Sequence, residues 1–368
     1  MKIIFKTDDL LTKLKNLTPT AEAKQTLMIL GNAAFKVIDN IAEVTTTDLE
    51  IEVSTKIECN SDSDTSFTIP AKKLQEVVSA LSNHNEIEFN IKNNIIDIIA
   101  AKSKISLPTL SLEDFPFNET NAETFYKLDC ENLLNLIEKT SFAMAYQDAR
   151  HFLNGMHLCN ENNKIVSVCT DGHRLAKYTS NISIENNLSI ILPRKAVNEI
   201  NRIMGSFNNI REVLAEFTYN NNNFIIKIND FLIKTKLIEG VYPNFNKVIP
   251  QQTDNVIEID KSMFKNSLNV ISKVVNQQYK GVKLTPNTNG TLHLISSNTE
   301  SEIGEDHIDA KYNGSDISVG FNINYLQDVI NVLSGDTVFI CINDQNSGCI
   351  IKDADSTSST YVIMPMRV

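Results

Sequence analysis

Three residues near the middle of the chain, Asp171, His173 and Arg174, have side chains that could take part in acid–base chemistry. A carboxylate and an imidazole two positions apart could act together in a hydrolase. However, no serine or cysteine stands in a recognised nucleophile motif, and there is no glycine-rich phosphate-binding loop. No group of His, Cys and Asp has metal-ligand spacing, so we expect no metal and no cofactor. A structural interpretation remains open, in which Asp171 and Gly172 form a turn that Arg174 fixes.

Two signatures recur three times along the chain and indicate a repeated module. The first is a four-residue helical signature at 74–77, 197–200 and 326–329, with offsets of 123 and 129 residues. The second is an apolar pair at positions i and i+4, with offsets of 123 and 131 residues. These pairs are Leu10/Leu14, Leu133/Ile137 and Phe264/Leu268. Because two landmarks have matching periods, we predict three modules of about 125 residues in a row.

Each module has the pattern strand, helix, strands, helix, strands, which predicts an α+β fold. Polar segments interrupt the pattern twice, and we place the module boundaries there: 1–123, 124–252 and 253–368. We predict two helices per module, each with an apolar face and several with a capping residue or proline at the start. The predicted helices span about 9–16, 71–81, 131–141, 194–204, 262–275 and 322–333.

Composition excludes several classes of protein. The chain has 368 residues and a net charge of −11, so it does not coat nucleic acid through bulk positive charge. The N-terminus is charged too early for a signal peptide, and no apolar run approaches the ~18 residues of a membrane span, so we predict a cytoplasmic protein. The cysteines show no CxxC spacing and are typical of buried thiols in a reducing compartment. They are Cys59, Cys130, Cys159, Cys169, Cys341 and Cys349.

Four segments carry a resemblance to a known family. They are Thr170–Ala176 (TDGHRLA), Tyr361–Val368 (YVIMPMRV), Gln147–Met156 (QDARHFLNGM) and Leu30–Asn32 (LGN). Their order and spacing, together with the threefold repeat, closely resemble the β sliding clamp of bacterial DNA polymerase III. The resemblance extends from the first predicted strand to the last residue.

The resemblance implies a non-enzymatic processivity factor. In that family three domains form a half-ring, and two chains join head to tail around duplex DNA, with helices lining the hole and strands forming the outer wall. The expected partners are a second copy of the chain, duplex DNA without sequence specificity, the replicative polymerase, the clamp loader and repair proteins. An alternative from another class is a repeat-built peptide-binding scaffold that does not encircle DNA.

The resemblance also implies a pocket between the second and third domains that binds short partner peptides containing Gln and Leu or Phe. Methionines near the chain terminus suit such a surface because the thioether side chain repacks readily around different ligands. The residues at the family's pocket positions are Leu153, Thr170, Gly172, His173, Arg174, Leu175, Pro243, Val248, Asn322, Tyr325, Ser347, Val362, Met364, Pro365, Met366 and Arg367.

A basic lining on an acidic body would allow loose contact with phosphates and therefore sliding. The expected DNA contacts are Lys24, Lys72, Lys73, Gln147, Arg150, His151, Phe152, Arg194, Lys195 and Arg202. Residues expected at the joint between the two chains are Ile105, Leu107 and Val274.

Overall fold

The computed structural model describes residues 1–21, 27–118, 125–183, 187–251, 255–354 and 357–367. Lys24, expected to approach DNA, lies outside these residues. Two helices per module are confirmed in the described part of the chain. The helices are α1 (Thr7–Leu17), α2 (Ala71–Ala80), α3 (Cys130–Glu138), α4 (Arg194–Met204), α5 (Lys261–Ile271) and α6 (Ile323–Val332). None of them is long and apolar enough to cross a membrane.

Local chemistry accounts for several helix ends. The side chain of Asp260 accepts a hydrogen bond from Met263 N (2.9 Å) and caps α5, and Asn322 caps α6 by accepting from Asn324 N (3.0 Å). Pro70 precedes α2, as predicted. The predicted α5 continued to Val275, but the helix ends at Ile271, where the backbone changes to tighter turns.

The strands complete an α+β fold, as predicted, and every pair between them is antiparallel in the described part of the chain. The strands are β1 (Lys2–Lys6), β2 (Asn32–Ile38), β3 (Ile41–Thr47), β4 (Ile51–Ser61), β5 (Thr65–Pro70), β6 (Glu86–Lys92), β7 (Ile95–Ala100), β8 (Ser103–Pro108), β9 (Tyr126–Asp129), β10 (Gly155–Glu161), β11 (Lys164–Thr170), β12 (Arg174–Ser183), β13 (Ser189–Pro193), β14 (Leu214–Tyr219), β15 (Asn223–Ile228), β16 (Phe231–Lys236), β17 (Asn255–Asp260), β18 (Gly281–Asn287), β19 (Thr291–Ser297), β20 (Ile303–Tyr312), β21 (Val319–Asn322), β22 (Thr337–Ile342), β23 (Cys349–Asp353) and β24 (Ser359–Ile363).

The chain forms two compact units, each built on a 12-stranded sheet. The first unit contains Met1–Glu131 and Lys195–Leu237, and the second contains Asn132–Arg194 and Ile238–Val368. Strands β14 to β16 join the first sheet because β16 pairs with β4, with Ile233 opposite Val53. The middle module is therefore divided between two sheets. The three module boundaries drawn from the sequence remain a prediction.

Helix faces pack on each sheet through the apolar pairs that marked the repeat. In the first unit, Leu10 and Leu14 of α1 are fully buried and α1 packs beside α2. In the second unit, Phe264 and Leu268 of α5 are fully buried and α5 packs against α6. Each such side chain stabilises the fold by roughly 1.5–3 kcal/mol relative to an exposed position. In the second unit, α5 and α6 contact strands of the sheet that carries the site.

Candidate functional site

The turn between β11 and β12 contains Asp171 and His173 and leads into Arg174, the three residues whose types would allow acid–base chemistry. Oδ1 of Asp171 accepts hydrogen bonds from the backbone N–H groups of His173 (2.9 Å) and Arg174 (3.0 Å), while Thr170 Oγ1 accepts from Gly172 N (3.1 Å). Gly172 has a φ of +88°, which favours glycine. Asp171 thus fixes a turn instead of activating an imidazole, which confirms the structural interpretation of this segment.

The guanidinium group of Arg174 connects this turn to two other segments of the chain. Its Nε donates to Asp171 Oδ2 (3.0 Å), its Nη2 donates to the carbonyl oxygen of Phe142 (2.6 Å), and its Nη1 donates to the Asp328 carboxylate. The guanidinium also lies over the ring of Tyr325, 4.4 Å from its centroid. Arginine suits this position because its planar fork presents several donors in one fixed geometry.

Beside this turn lies an apolar cavity of about 350 Å³ within the second unit. Its walls contain nine of the predicted pocket residues: Leu153, Thr170, Gly172, Arg174, Leu175, Pro243, Val248, Val362 and Met364. Arg150, Phe152, Asn244 and Phe245 complete the lining. The cavity combines apolar walls with a few polar groups, as small-ligand and peptide sites do.

The floor of the cavity is a sheet pairing. Leu175 of β12 lies opposite Val362 of β24, and both are buried with Leu153, Tyr242 and Phe245 in one apolar cluster. The rim is accessible, since Val248 is 53% exposed and Met364 is 40% exposed.

The terminal segment is held beside the cavity by its backbone. Met364 N donates to the carbonyl oxygen of His173 (2.8 Å), and Met366 N donates to that of Gly320 (2.9 Å). These bonds place the Met364 side chain at the rim.

Seven predicted pocket residues do not line this cavity. His173 contributes backbone groups to the turn, Tyr325 stacks on Arg174, Asn322 caps α6, and Ser347 donates to Asp344 Oδ2 (2.6 Å). Pro365, Met366 and Arg367 follow Met364 along the terminal segment.

Sequence reasoning missed Asn244 and Phe245 as pocket residues. Both directly follow Pro243 in a loop, and an aromatic residue in a polar loop was the available signal for Phe245.

The loop before β10 contains four predicted DNA contacts. Arg150 pairs with Asp148 through two bonds (Nε–Oδ1 3.0 Å, Nη2–Oδ2 2.8 Å), and this hydrogen-bonded pairing lowers the pKa of Asp148 to about 2. The structure places Arg150 and Phe152 in the cavity wall. Gln147, with a φ of +54°, and His151 are exposed. A DNA contact by this loop remains a prediction.

Cations at the start of α4 and near its end are engaged by the protein itself. Arg194 donates to the carbonyl oxygens of Ala145 (3.2 Å) and Met144, and Lys195 pairs with the carboxylate of Asp48, whose side chain is only 3% exposed. Arg202 is held in the same way, by the Asn16 side-chain oxygen (2.9 Å) and Glu199. These three side chains have structural roles, and sequence alone did not reveal their partners.

The two lysines at the start of α2 are more open to solvent than the cations of α4. Lys72 and Lys73 are both exposed, and Lys73 forms an ion pair with Glu76 (2.9 Å) that is itself open to solvent. Surface pairs of this kind are weak and exchange readily. Both ammonium groups are therefore accessible to a phosphate.

The predicted joint residues lie on two elements. Ile105 and Leu107 are in β8, which pairs only with β7 in the described part of the chain. Val274 follows α5 and packs directly on Gly304 of β20, where an added Cβ atom would lie 2.3 Å from Val274 Cγ2.

Comparisons with known proteins cover the whole chain. Three family models describe the N-terminal, central and C-terminal domains of the DNA polymerase III beta subunit. They match residues 1–119, 127–244 and 246–367 of this chain, respectively. The beta sliding clamps of Haemophilus influenzae and Escherichia coli K12 are 34% and 32% identical, each over 100% of both chains.

Solved structures give the same result. The DNA polymerase III subunit beta of Pseudomonas aeruginosa matches with a TM-score of 0.94 at 30% identity, and the pol III beta of Caulobacter crescentus with 0.93 at 26%, each over 100% of both chains. The chain therefore belongs to the bacterial DNA polymerase III β subunit family, the β sliding clamps.

Proposed function

We propose that this sliding clamp, a non-enzymatic processivity factor, tethers DNA polymerase III to duplex DNA by binding a short peptide of the polymerase in the cavity beside Leu175. The supporting observation is the cavity itself, which is apolar, open at its rim and lined by Val248, Val362 and Met364. A site of this size accepts one or two apolar side chains of a peptide, while its polar groups fix the backbone.

Peptides containing Gln and Leu or Phe fit this chemistry. Leucine or phenylalanine would fill the cavity above its floor of Leu175 and Val362, and Thr170 and Arg150 would face the polar part of the peptide. Because Met364 can repack, the same cavity could accept related peptides. The clamp loader and repair proteins would then compete with the polymerase for one site per chain, in the cytoplasm where bacterial chromosomes are replicated.

We also propose that two chains close head to tail into a ring of six modules. Strand β8, with Ile105 and Leu107, leaves one edge open in the described part of the chain. Residues 303–309 of β20 pair with β19 on one side, while only the end of β20 pairs with β17 on the other. Open edges invite pairing with another chain, and a contact made twice limits the assembly to two copies.

A matched pair of variants tests the peptide site. Val248→Asp places a charge at the exposed rim, whereas Val241→Asp changes a valine that is 88% exposed and does not line the cavity. In a fluorescence polarisation titration with a labelled Gln- and Leu-Phe-containing peptide, we expect Val248→Asp to weaken binding at least about tenfold, equivalent to about 1.4 kcal/mol. Equal affinities of both variants and the parent protein would reject the cavity as the site.

Retention on circular and on linear DNA tests whether two chains form a closed ring around the duplex. The clamp is loaded onto nicked circular DNA by a clamp loader, and the circle is then cut once in high salt. Release only after cutting means that a closed ring encircles the duplex, because salt removes electrostatic attachment. Loss from the intact circle in high salt, with loading established at low salt, would favour the scaffold that does not encircle DNA.

A further inference from the structure

Two histidines and a glutamate meet on the exposed face of the sheet in the second unit. The register of β19 and β20 places His293 directly opposite His307, and Glu305 precedes His307 by two positions on the same face of β20. One ligand atom from each of these residues lies within 4.8 Å of the other two. Their spacing in the sequence is not that of a metal motif, because the hairpin register creates the cluster.

The distances suit a small cation. Nε2 of His293 lies 2.8 Å from Glu305 Oε1, and Nε2 of His307 lies 3.4 Å from the same oxygen. In a tetrahedral zinc site with bonds of 2.0–2.1 Å, neighbouring ligand atoms are about 3.3 Å apart. The two distances to Glu305 Oε1 lie on either side of this value, and all three donors lie within 4.8 Å of one another.

One donor in the cluster is buried without a hydrogen bond. Nε2 of His293 makes no hydrogen bond among the described residues, although Glu305 Oε1 lies 2.8 Å away. A buried polar atom without a hydrogen-bond partner is unfavourable, because it has lost contact with water and gained no partner in the protein. A bound cation would satisfy this nitrogen together with the carboxylate.

We propose that His293, Glu305 and His307 bind a Zn²⁺ ion. Imidazole and carboxylate are ligands that zinc accepts, and three protein ligands leave a further position for water. The imidazole rings are now stacked, with centroids 4.4 Å apart and planes inclined by 7°. To direct both Nε2 lone pairs at one ion, the rings must tilt out of this stack.

Zinc titration of the full chain, without any histidine tag, tests the proposal. Zn²⁺ is added in competition with a chromophoric chelator, and we expect one ion per chain. His307→Ala and His293→Ala should each weaken binding at least about tenfold, as even changes to supporting residues of metal sites do. Glu305→Gln keeps the shape but removes the charge and should also weaken binding. His84→Ala changes a half-exposed imidazole outside the cluster and should leave binding intact.

Two outcomes would overturn the site. One is the absence of zinc binding at micromolar concentrations, where the chelator competition is sensitive. The other is binding that persists unchanged in both histidine variants, which would assign the ion to other ligands such as the half-exposed Cys59. Circular dichroism of each variant establishes that it is folded, and His307 is exposed, so its replacement leaves the core untouched.

Discussion

Arg174 in β12 donates to the carboxylate of Asp328 in α6, a residue 154 positions further along the chain. The same guanidinium holds Asp171 and the carbonyl oxygen of Phe142. One side chain thus joins the cavity wall to the helix that follows β21. Only 11% of this side chain is exposed, and its removal would take a donor away from Asp171 Oδ2 and from the carbonyl oxygen of Phe142.

We expect Arg174→Ala to lower the free energy of unfolding by about 1–3 kcal/mol, because three partly buried acceptors each lose a charged donor. Arg211→Ala is the matched control, since Arg211 is 76% exposed in its pair with Glu131. That control should change stability by less than about 1 kcal/mol. Urea midpoints measure both variants, and equal losses would contradict the structural role of Arg174.

Removal of the terminal segment should abolish peptide binding while the chain remains dimeric. Deletion of residues 364–368 removes the Met364 side chain from the cavity rim and the backbone bond to His173. Deletion of only the last two residues keeps Met364 and Met366 and serves as the control. Fluorescence polarisation measures affinity and analytical ultracentrifugation measures the dimer. Unchanged peptide affinity in the longer deletion would contradict the proposed cavity.

Lys72→Glu combined with Lys73→Glu should weaken binding to a short duplex. If both lysines contact phosphates, the slope of log K against log salt should fall by about 2. Lys127→Glu combined with Lys164→Glu changes the net charge equally at exposed strand positions. Fluorescence anisotropy across a salt series compares the two pairs. A similar loss in both would show that total charge, not the start of α2, governs the contact.

Much of the fold could be predicted because periodicity is local. The spacing of Leu10 and Leu14, and of Phe264 and Leu268, identified faces that are fully buried. The division of the middle module between two sheets could not be predicted, because the pairing of Ile233 with Val53 joins distant segments.

Partners distant in sequence also limited the prediction of the site. Lys195 looked like a DNA contact, but its partner Asp48 lies in another part of the sequence and is buried. The family resemblance supplied the residues around Leu175, which composition alone did not identify.

The thiols should differ sharply in reactivity. Cys59 is partly exposed and the other five cysteines are buried. Burial raises the pKa of Cys159 and of Cys169 to about 12, and the thiolate is the reactive form. With a disulfide reagent at pH 8, we expect one thiol per chain to react in the folded protein and six in urea. Cys59→Ser should remove the reaction of the folded protein. Rapid reaction of further thiols would contradict the buried positions.

The buried imidazole of His157 should make the free energy of unfolding depend on pH. Its ring stacks on Tyr242, with centroids 4.6 Å apart, and its Nδ1 donates to the carbonyl oxygen of Ile190 (3.2 Å). Burial lowers the pKa of His157. As pH falls below about 6.5, the unfolded chain therefore gains a proton that the folded chain does not, and stability decreases. The stabilising contribution is complete above that pH.

Urea midpoints at pH 7.5 and pH 5.5 test this linkage. His157→Gln should lower stability at both values but reduce the difference between them, because glutamine does not titrate. His84→Gln replaces a half-exposed histidine and should keep the difference found in the parent protein. Carboxylates titrate in all three proteins, so the comparison isolates the imidazole. If His157→Gln retains the full difference, a titratable group other than His157 must carry the pH dependence.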